Sequence, residues 1–410
     1  MPTPAVPTPA TLRPAATVVI VRAGLKGPEV LMLLRAEKGD HNSGAWVFPG
    51  GLVDRGDRAC HACCAGLDDA EASRRLGLAA GGLDFYVTAI RESFEEAGLL
   101  LAIDDRGAFP ALDGPTGDAL SALRKPIGRG ELDFGAVCRD HGLRLATDRL
   151  HYIAHWITPP GMAKRFDTRF FLAVVPPSQR AAHDAVETLD HGWFRPADLL
   201  AGGDARKLLV VTRTMLQTVA GFDDVDGLLR WAESPRGVKT VTRRRCRDAQ
   251  GPQVLMPDHP AWPEVGLLDP EGEGTAWCEL RAGVPVRLSP LVRRFTHGDG
   301  NCYLIGDGAR GWAVIDPPPS PDRDWLLALT GGREPVALST GEARGVRATS
   351  PIPDLTLEAL DTPGGTAWLL RQERMLFTGR WAPPRAELPP ALGTVADWMA
   401  PARGFLVPLR

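Results

Sequence analysis

The segment Arg91-Glu92-Ser93-Phe94-Glu95-Glu96-Ala97-Gly98-Leu99 carries carboxylates at i, i+3 and i+4. On a helix these spacings put Glu92, Glu95 and Glu96 on one face. Like charges so placed repel by roughly a few tenths of a kcal/mol per pair when exposed. A purely structural face would more often interleave Lys, and the competing reading of the three glutamates alone is a solvated acidic helix face. Hard oxygen donors on one face instead suit Mg²⁺ or Mn²⁺, which in turn hold phosphate oxygens.

Upstream lies Phe48-Pro49-Gly50-Gly51. Together the two segments resemble the Nudix hydrolase box. That box runs Gly, five residues, Glu, seven residues, then Arg-Glu-aliphatic-x-Glu-Glu-x-Gly-aliphatic. The second half matches from Arg91 to Leu99, with Ser93 in place of the aliphatic residue. The first half departs. Asp57 falls at the upstream Glu position, and residues 58–90 replace the seven-residue spacer. An insertion therefore splits the box.

The resemblance implies that Glu92, Glu95 and Glu96 ligate Mg²⁺ or Mn²⁺, with Gly51 offering a backbone carbonyl and Arg91 orienting a glutamate. It implies hydrolysis of a nucleoside diphosphate linked to another moiety. Glu92 and Glu187 are the candidates for the general base, whose position varies in this superfamily.

The split box is similar to a Nudix group that includes coenzyme A diphosphatases. Arg35-Ala36, Gly44 and Phe48-Pro49-Gly50-Gly51 match part of the coenzyme A signature, while Asp40 stands where an Arg is expected and the leading Leu-Leu-Thr is not kept. In the strand-like run Arg165-Phe166-Asp167-Thr168-Arg169-Phe170-Phe171, Arg165, Asp167 and Arg169 share one face. Arg165 and Arg169, with Arg35, are the candidate substrate-binding residues, since Arg pairs well with phosphate. The competing reading is an Arg–Asp pair on an exposed face while the Phe face packs inward. The expected substrate is coenzyme A or acyl-coenzyme A, giving 3′,5′-ADP and (acyl)phosphopantetheine. The alternatives are an ADP-ribose or dinucleotide pyrophosphatase, and a non-catalytic protein that senses a nucleotide.

These residues need a scaffold. The β-branched run Thr17–Val21, a turn at Gly24–Pro28 and the strand Glu29–Arg35 predict a hairpin. Residues 52–84 predict a largely helical insertion, and Phe85–Leu99 a helix stopped at Gly98. Further helices are expected at Asp118–Leu123, near Leu132–His141 and over Lys207–Ala220, and strands at Tyr152–Thr158 and Thr168–Val175. The fold class is α/β: a Nudix α/β/α sandwich with a mixed sheet over residues 15–230, after a disordered lead-in at 1–14. Residues 231–280, rich in Pro, Gly and Arg, are expected to be a linker or extension.

Short strand-like runs return after residue 281. Asn301–Gly306, Ala313–Pro317, Asp361–Gly364 and Leu376–Gly379 resemble parts of the metallo-β-lactamase fold. Active members carry Thr-His-x-His-x-Asp-His, where this chain has Thr340-Gly341-Glu342-Ala343-Arg344-Gly345-Val346. Gly365 and Arg380 replace a later His and Asp, so a dinuclear site of that kind cannot assemble. The resemblance implies a degenerate, β-rich αββα domain with a structural, interaction or regulatory role.

Composition sets the outer bounds. The chain has 410 residues, 44% hydrophobic and 24% charged, as in ordinary globular proteins of two or three domains. A net charge of −3 gives no support to a nucleic-acid partner, despite the basic run Arg243–Arg247. No apolar run is long enough to span a membrane. Seven cysteines and a Pro-rich N-terminus without an apolar core predict a cytoplasmic protein without a disulfide framework. Cys60, His61, Cys63 and Cys64 lack a second ligand pair and read as a helical surface rather than a zinc site. The expected partner is a small-molecule nucleotide substrate, and a homodimer is the candidate assembly.

Overall fold

The computed structural model describes residues 11–36, 43–184, 188–203, 206–298, 300–317, 323–341, 352–384, 387 and 389–409. They divide into two compact units, the first made of residues 11–158 and 164–241, the second of 159–163 and 242–409.

The first unit runs β1 (Leu12–Gly24), β2 (Gly27–Arg35), β3 (Trp46–Val47), β4 (Gly50–Leu52), a 3₁₀ segment (Arg55–Cys63), β5 (Cys64–Ala65), α1 (Asp69–Leu76) and α2 (Gly82–Ala97). It continues through β6 (Ala102–Ile103), α3 (Gly114–Ala122), α4 (Arg124–Gly128), α5 (Phe134–Asp140), β7 (Arg144–Ala146), β8 (His151–Ile157) and β9 (Arg165–Val174). It ends with β10 (Thr188–Phe194), α6 (Pro196–Ala201), α7 (Val210–Ala220), α8 (Val225–Glu233) and β11 (Thr240–Thr242). The main sheet has the order β10-β2-β1-β9-β8-β11, with β3 on β2 and β4 on β1. Only β1 and β9 pair in parallel among its long strands, so the sheet is mixed, as expected.

β-branched residues make β1 a good central strand. Its Val18 and Ile20 bury one face against Tyr86, Ile90 and Phe94 of α2. The other face, with Val19, Val21, Val30 and Met32, is equally buried, and α6 packs on β2 while α8 packs on β1 and β8. The expected α/β/α layering is therefore present.

Several boundaries differ from expectation. The lead-in was expected to reach Pro14, but β1 already starts at Leu12, because Leu12–Pro14 pair with Arg165–Asp167 of β9. The helix expected from Lys207 begins at Val210. Lys207 and Leu208 are instead drawn alongside β3, where the Trp46 amide donates to the Lys207 carbonyl at 3.0 Å. The cysteine group does not lie on a surface. Cys60 and Cys63 sit in the core with Cys138, and burial pushes the Cys60 thiol up to about 12. His61 turns away to Asp84 at 2.7 Å.

In the second unit the stretch expected as a linker or extension carries regular structure: β12 (Arg244–Asp248), β13 (Gly251–Leu255) and α9 (Trp262–Leu268). After these come β14 (Val286–Arg287), β15 (Val292–His297), β16 (Gly300–Asp307), β17 (Gly311–Ile315), α10 (Arg323–Leu329) and β18 (Val336–Leu338). The remainder is β19 (Leu357–Thr362), β20 (Gly365–Leu370), β21 (Met375–Gly379), α11 (Pro390–Val395), β22 (Trp398–Pro401) and β23 (Val407–Pro408). Strands β14–β18 form one five-stranded sheet and β19–β23 another. Val292, Tyr303, Ile305 and Ile315 of the first meet Trp368, Leu370, Met375 and Phe377 of the second in a shared core. Leu326 of α10 packs on the outer side of the first sheet, and Leu392 and Val395 of α11 border the outer side of the second.

A buried ion pair ties α9 to this body. Arg294 in β15 donates to both oxygens of Glu264, at 2.6 and 2.8 Å, and Glu264 also accepts the Leu406 amide at 2.9 Å. Both side chains are about 2% exposed or less. Removing one partner leaves an uncompensated buried charge. Glu264→Gln should therefore cost about 3–5 kcal/mol in equilibrium unfolding. A loss below about 1 kcal/mol would show that the pair is not what anchors α9.

Candidate active site

The catalytic-type residues converge on α2. Arg91 is its hub. The Arg91 Nε donates to Asp57 Oδ1 at 2.7 Å and Nη2 to Asp57 Oδ2 at 3.1 Å. Nη1 donates to Glu92 Oε1 at 2.8 Å and to Glu95 Oε1 at 3.2 Å, and Nη2 also reaches the Leu52 carbonyl at 3.0 Å. Burial disfavours the charge, yet Asp57 and Glu92 hold this guanidinium more firmly protonated than usual.

Asp57 occupies the upstream position of the split box and is 1% exposed. Besides Arg91 it accepts the Thr88 hydroxyl at 2.7 Å and the Asp54 amide at 2.8 Å. The insertion thus leaves in sequence but returns in space. Its own residues also hold the start of α2. That helix begins at Gly81 without a side-chain cap of its own. Asp69 supplies one from α1, accepting the Gly81 and Leu83 amides at 3.0 Å each. These amides hold Asp69 below the usual carboxylate range against the desolvation that raises it. Ser73 accepts the Gly82 amide at 2.9 Å.

At the other end Gly98 takes the left-handed conformation, φ 68°, that closes the helix. Ser93, the departure from the aliphatic position, is fully buried. Its hydroxyl donates to the Leu99 carbonyl at 2.9 Å, so a polar residue is accommodated there.

The glycines of the first segment are required by close approach. A Cβ on Gly51 would lie 2.3 Å from Glu92 Oε1, and one on Gly50 would lie 2.5 Å from the Ala16 carbonyl. The Gly50 amide donates to Glu96 Oε2 at 3.0 Å. The strand β4 and the glutamate face are therefore in direct contact.

Around this point three carboxylates, Asp57, Glu92 and Glu95, share the Arg91 cation, while a fourth, Glu96, accepts the Gly50 amide. Burial, with Glu92 adding to it and Arg91 opposing it, pushes the Glu95 carboxyl up to about 7. An excess of clustered carboxylates, with Glu95 resisting ionisation, fits a divalent cation held by oxygen ligands. Glu92, Glu95 and Glu96, with Gly51 packed against the Glu92 carboxylate, are the candidate groups to hold it.

The expected substrate residues are placed differently. Arg169 is 3% exposed, stacks over the Phe85 ring at 4.3 Å and donates to Asp167 at 2.7 Å. Asp167 meets His155 at 2.5 Å, and His155 meets Thr240 at 2.8 Å. The Arg–Asp pair of the competing reading is formed, but its face is not exposed at Arg169, because α2 covers it. Arg165 lies at the start of β9 and donates to the Thr158 carbonyl at 3.2 Å. Arg35 ends β2 opposite Thr188, its amide bound to the Ala45 carbonyl at 3.0 Å. Glu187 lies outside the described residues. Sequence reasoning missed Thr88, Asp69 and Ser73, whose partners are brought close only by the folded insertion.

A family model described as the NUDT19 Nudix domain matches residues 69–212, which include all of α2. That stretch is therefore similar to a Nudix domain of this type. Strands β1–β4 precede the matched stretch and complete its sheet.

Among individual relatives, the chain is similar to acyl-coenzyme A diphosphatase NUDT19 of Xenopus laevis, 25% identical over 214 residues, or 44% of this chain and 56% of that protein. The Homo sapiens protein of the same name is 27% identical over 241 residues, or 47% of this chain and 64% of that one. The chain spans less than two thirds of the length of these curated relatives. A crystal structure of a Nudix hydrolase from Alicyclobacillus acidocaldarius is 26% identical with a TM-score of 0.45, covering 54% of this chain and 96% of that one.

Two outcomes follow from the hub. Asp57→Asn should weaken Mn²⁺ binding about 10–100-fold, as loss of a group that orients ligands does, with the helix content unchanged by circular dichroism. Wild-type affinity in that variant would contradict the clamp. Glu95 also sets a pH dependence. Its folded value of about 7 lies above the ordinary 4.5, so the stability it contributes is full below about 4.5 and lost as pH rises through about 7. The melting temperature of metal-free protein should fall over that window, and Glu95→Gln should flatten the fall. An unchanged slope in Glu95→Gln would count against the assignment.

Proposed function

We propose that this protein is a Nudix diphosphatase acting on coenzyme A or acyl-coenzyme A, releasing 3′,5′-ADP and (acyl)phosphopantetheine. The observation that carries the reading is the Arg91-centred carboxylate cluster on α2, within a stretch matching the NUDT19 Nudix domain. The names of the relatives favour the acyl-coenzyme A substrate.

In this reading Glu92, Glu95 and Glu96 hold Mg²⁺ or Mn²⁺, with Gly51 as a carbonyl ligand. The ion, when bound, neutralises the diphosphate and acidifies the attacking water. Arg91 fixes the Glu92 and Glu95 carboxylates, and Asp57 fixes Arg91. Glu92 is the candidate base, with Glu187 the second candidate. Arg165 and Arg35 are the substrate arginines that retain partial exposure, while Arg169 acts through Asp167 and the sheet.

We also propose that residues 281–410 are a degenerate metallo-β-lactamase-like domain. Two facing five-stranded sheets with an outer helix on each support this. Asp316, at φ 52°, accepts the Thr340 amide and hydroxyl at 2.8 and 2.7 Å, which gives that loop a structural rather than a ligand role. The stretch Glu342–Val346 lies outside the described residues.

The test is a panel of coenzyme A, acyl-coenzyme A, NADH, ADP-ribose and dinucleoside polyphosphates with Mg²⁺ and Mn²⁺. Cleavage should be fastest for the coenzyme A compounds, and Glu96→Gln should abolish it while leaving the fold intact. Cleavage of ADP-ribose or dinucleotides alone would replace the substrate. Retained activity in Glu96→Gln would remove the metal-ligand role.

A further inference from the structure

A second group of metal-type ligands lies apart from the glutamate face. His183, Asp190 and His191 each offer one ligand atom, and these atoms all lie within 4.8 Å of one another. The two imidazoles face each other through Nδ1, 2.9 Å apart, with ring centroids at 5.1 Å. Two nitrogens bound to one ion at about 2.0–2.1 Å lie roughly 2.9–3.3 Å apart for angles between about 90° and 109°. The two nitrogens are at hydrogen-bond distance, which is also the separation of two ligands of one ion at an angle near about 90°. Both histidines are half-buried and Asp190 is exposed, which leaves a side of the cluster open to solvent.

The backbone supports each ligand. His191 sits in β10 opposite Leu33, and its amide donates to Asp190 Oδ1 at 2.8 Å. His183 follows Ala182, whose amide donates to the Ala97 carbonyl at 2.9 Å at the end of α2. The Ala182 carbonyl accepts Arg124 Nη2 at 2.7 Å. An ion at this point would clasp the end of α2 to β10.

We infer that His183, Asp190 and His191 form a binding site for a divalent transition-metal ion. Two imidazoles and one carboxylate select such ions over Mg²⁺, which prefers oxygen ligands. The site thus discriminates by chemistry between its ion and the one held by the glutamates.

The test uses the full chain stripped of metal and kept in excess Mg²⁺, with Co²⁺ as the optical probe and Zn²⁺ as the competitor. Wild-type protein should show a visible Co²⁺ absorption band that a single equivalent of Zn²⁺ removes. His183→Ala, in a loop, and His191→Ala, in a strand, should each lose the band and weaken Zn²⁺ binding by more than about 100-fold. Circular dichroism checks that each variant folds, and His183→Ala decides if His191→Ala does not. Glu95→Gln should keep the band, so failure of the diphosphatase reading and failure of this one are distinguishable. No band in wild type, a band that survives in His183→Ala, or a band lost in Glu95→Gln overturns the assignment.

Discussion

One guanidinium, that of Arg91, holds the candidate site together. Its side chain is only 13% exposed, and so the charge must be compensated. Asp57 meets it from one side with a two-point contact, while Glu92 and Glu95 meet it from its own helix. Removing any of these partners would leave charge stranded in a poorly solvated place. The positions of the glutamates, the course of the insertion and the approach of β4 all follow from satisfying this one group and its neighbours.

The insertion then has a physical account. A seven-residue spacer would hold the upstream acid near the helix by its shortness. Here the chain between them is long, and loop closure alone would not fix the distance. Fixed contacts do so instead. Thr88 and the Asp54 amide hold Asp57, Asp69 and Ser73 hold the first turn of α2, and His61 holds Asp84. The core around Cys60, Cys63 and Cys138 gives these contacts a rigid backing.

Much of this was legible in the sequence, and the limits were physical. The glutamate spacing, the stop at Gly98 and the β1–β2 hairpin are local signals, set by helix period, left-handed glycine and β-branched runs. The pairing of Asp57 with Arg91 is a long-range contact across residues 58–90, and no period or propensity encodes it. Arg169 shows the opposite failure. Alternation put it correctly on a face with Asp167, but alternation cannot say that Phe85 of α2 covers that face. The structured part of 242–280 escaped notice because Pro, Gly and Arg read as linker residues. The buried partner of Glu264 is Arg294, thirty residues away in another element.

If the glutamate face of α2, clamped through Arg91 to Asp57, is a divalent-metal site, Mn²⁺ must be found on it. A crystal structure of the full chain soaked in Mn²⁺, with data collected for anomalous scattering, tests it most directly. The expected result is an anomalous peak among Glu92, Glu95 and Glu96, close to the Gly51 carbonyl, with Arg91 still on Asp57. Well-ordered glutamates with no Mn²⁺ peak between them, or Mn²⁺ found only elsewhere, would contradict it.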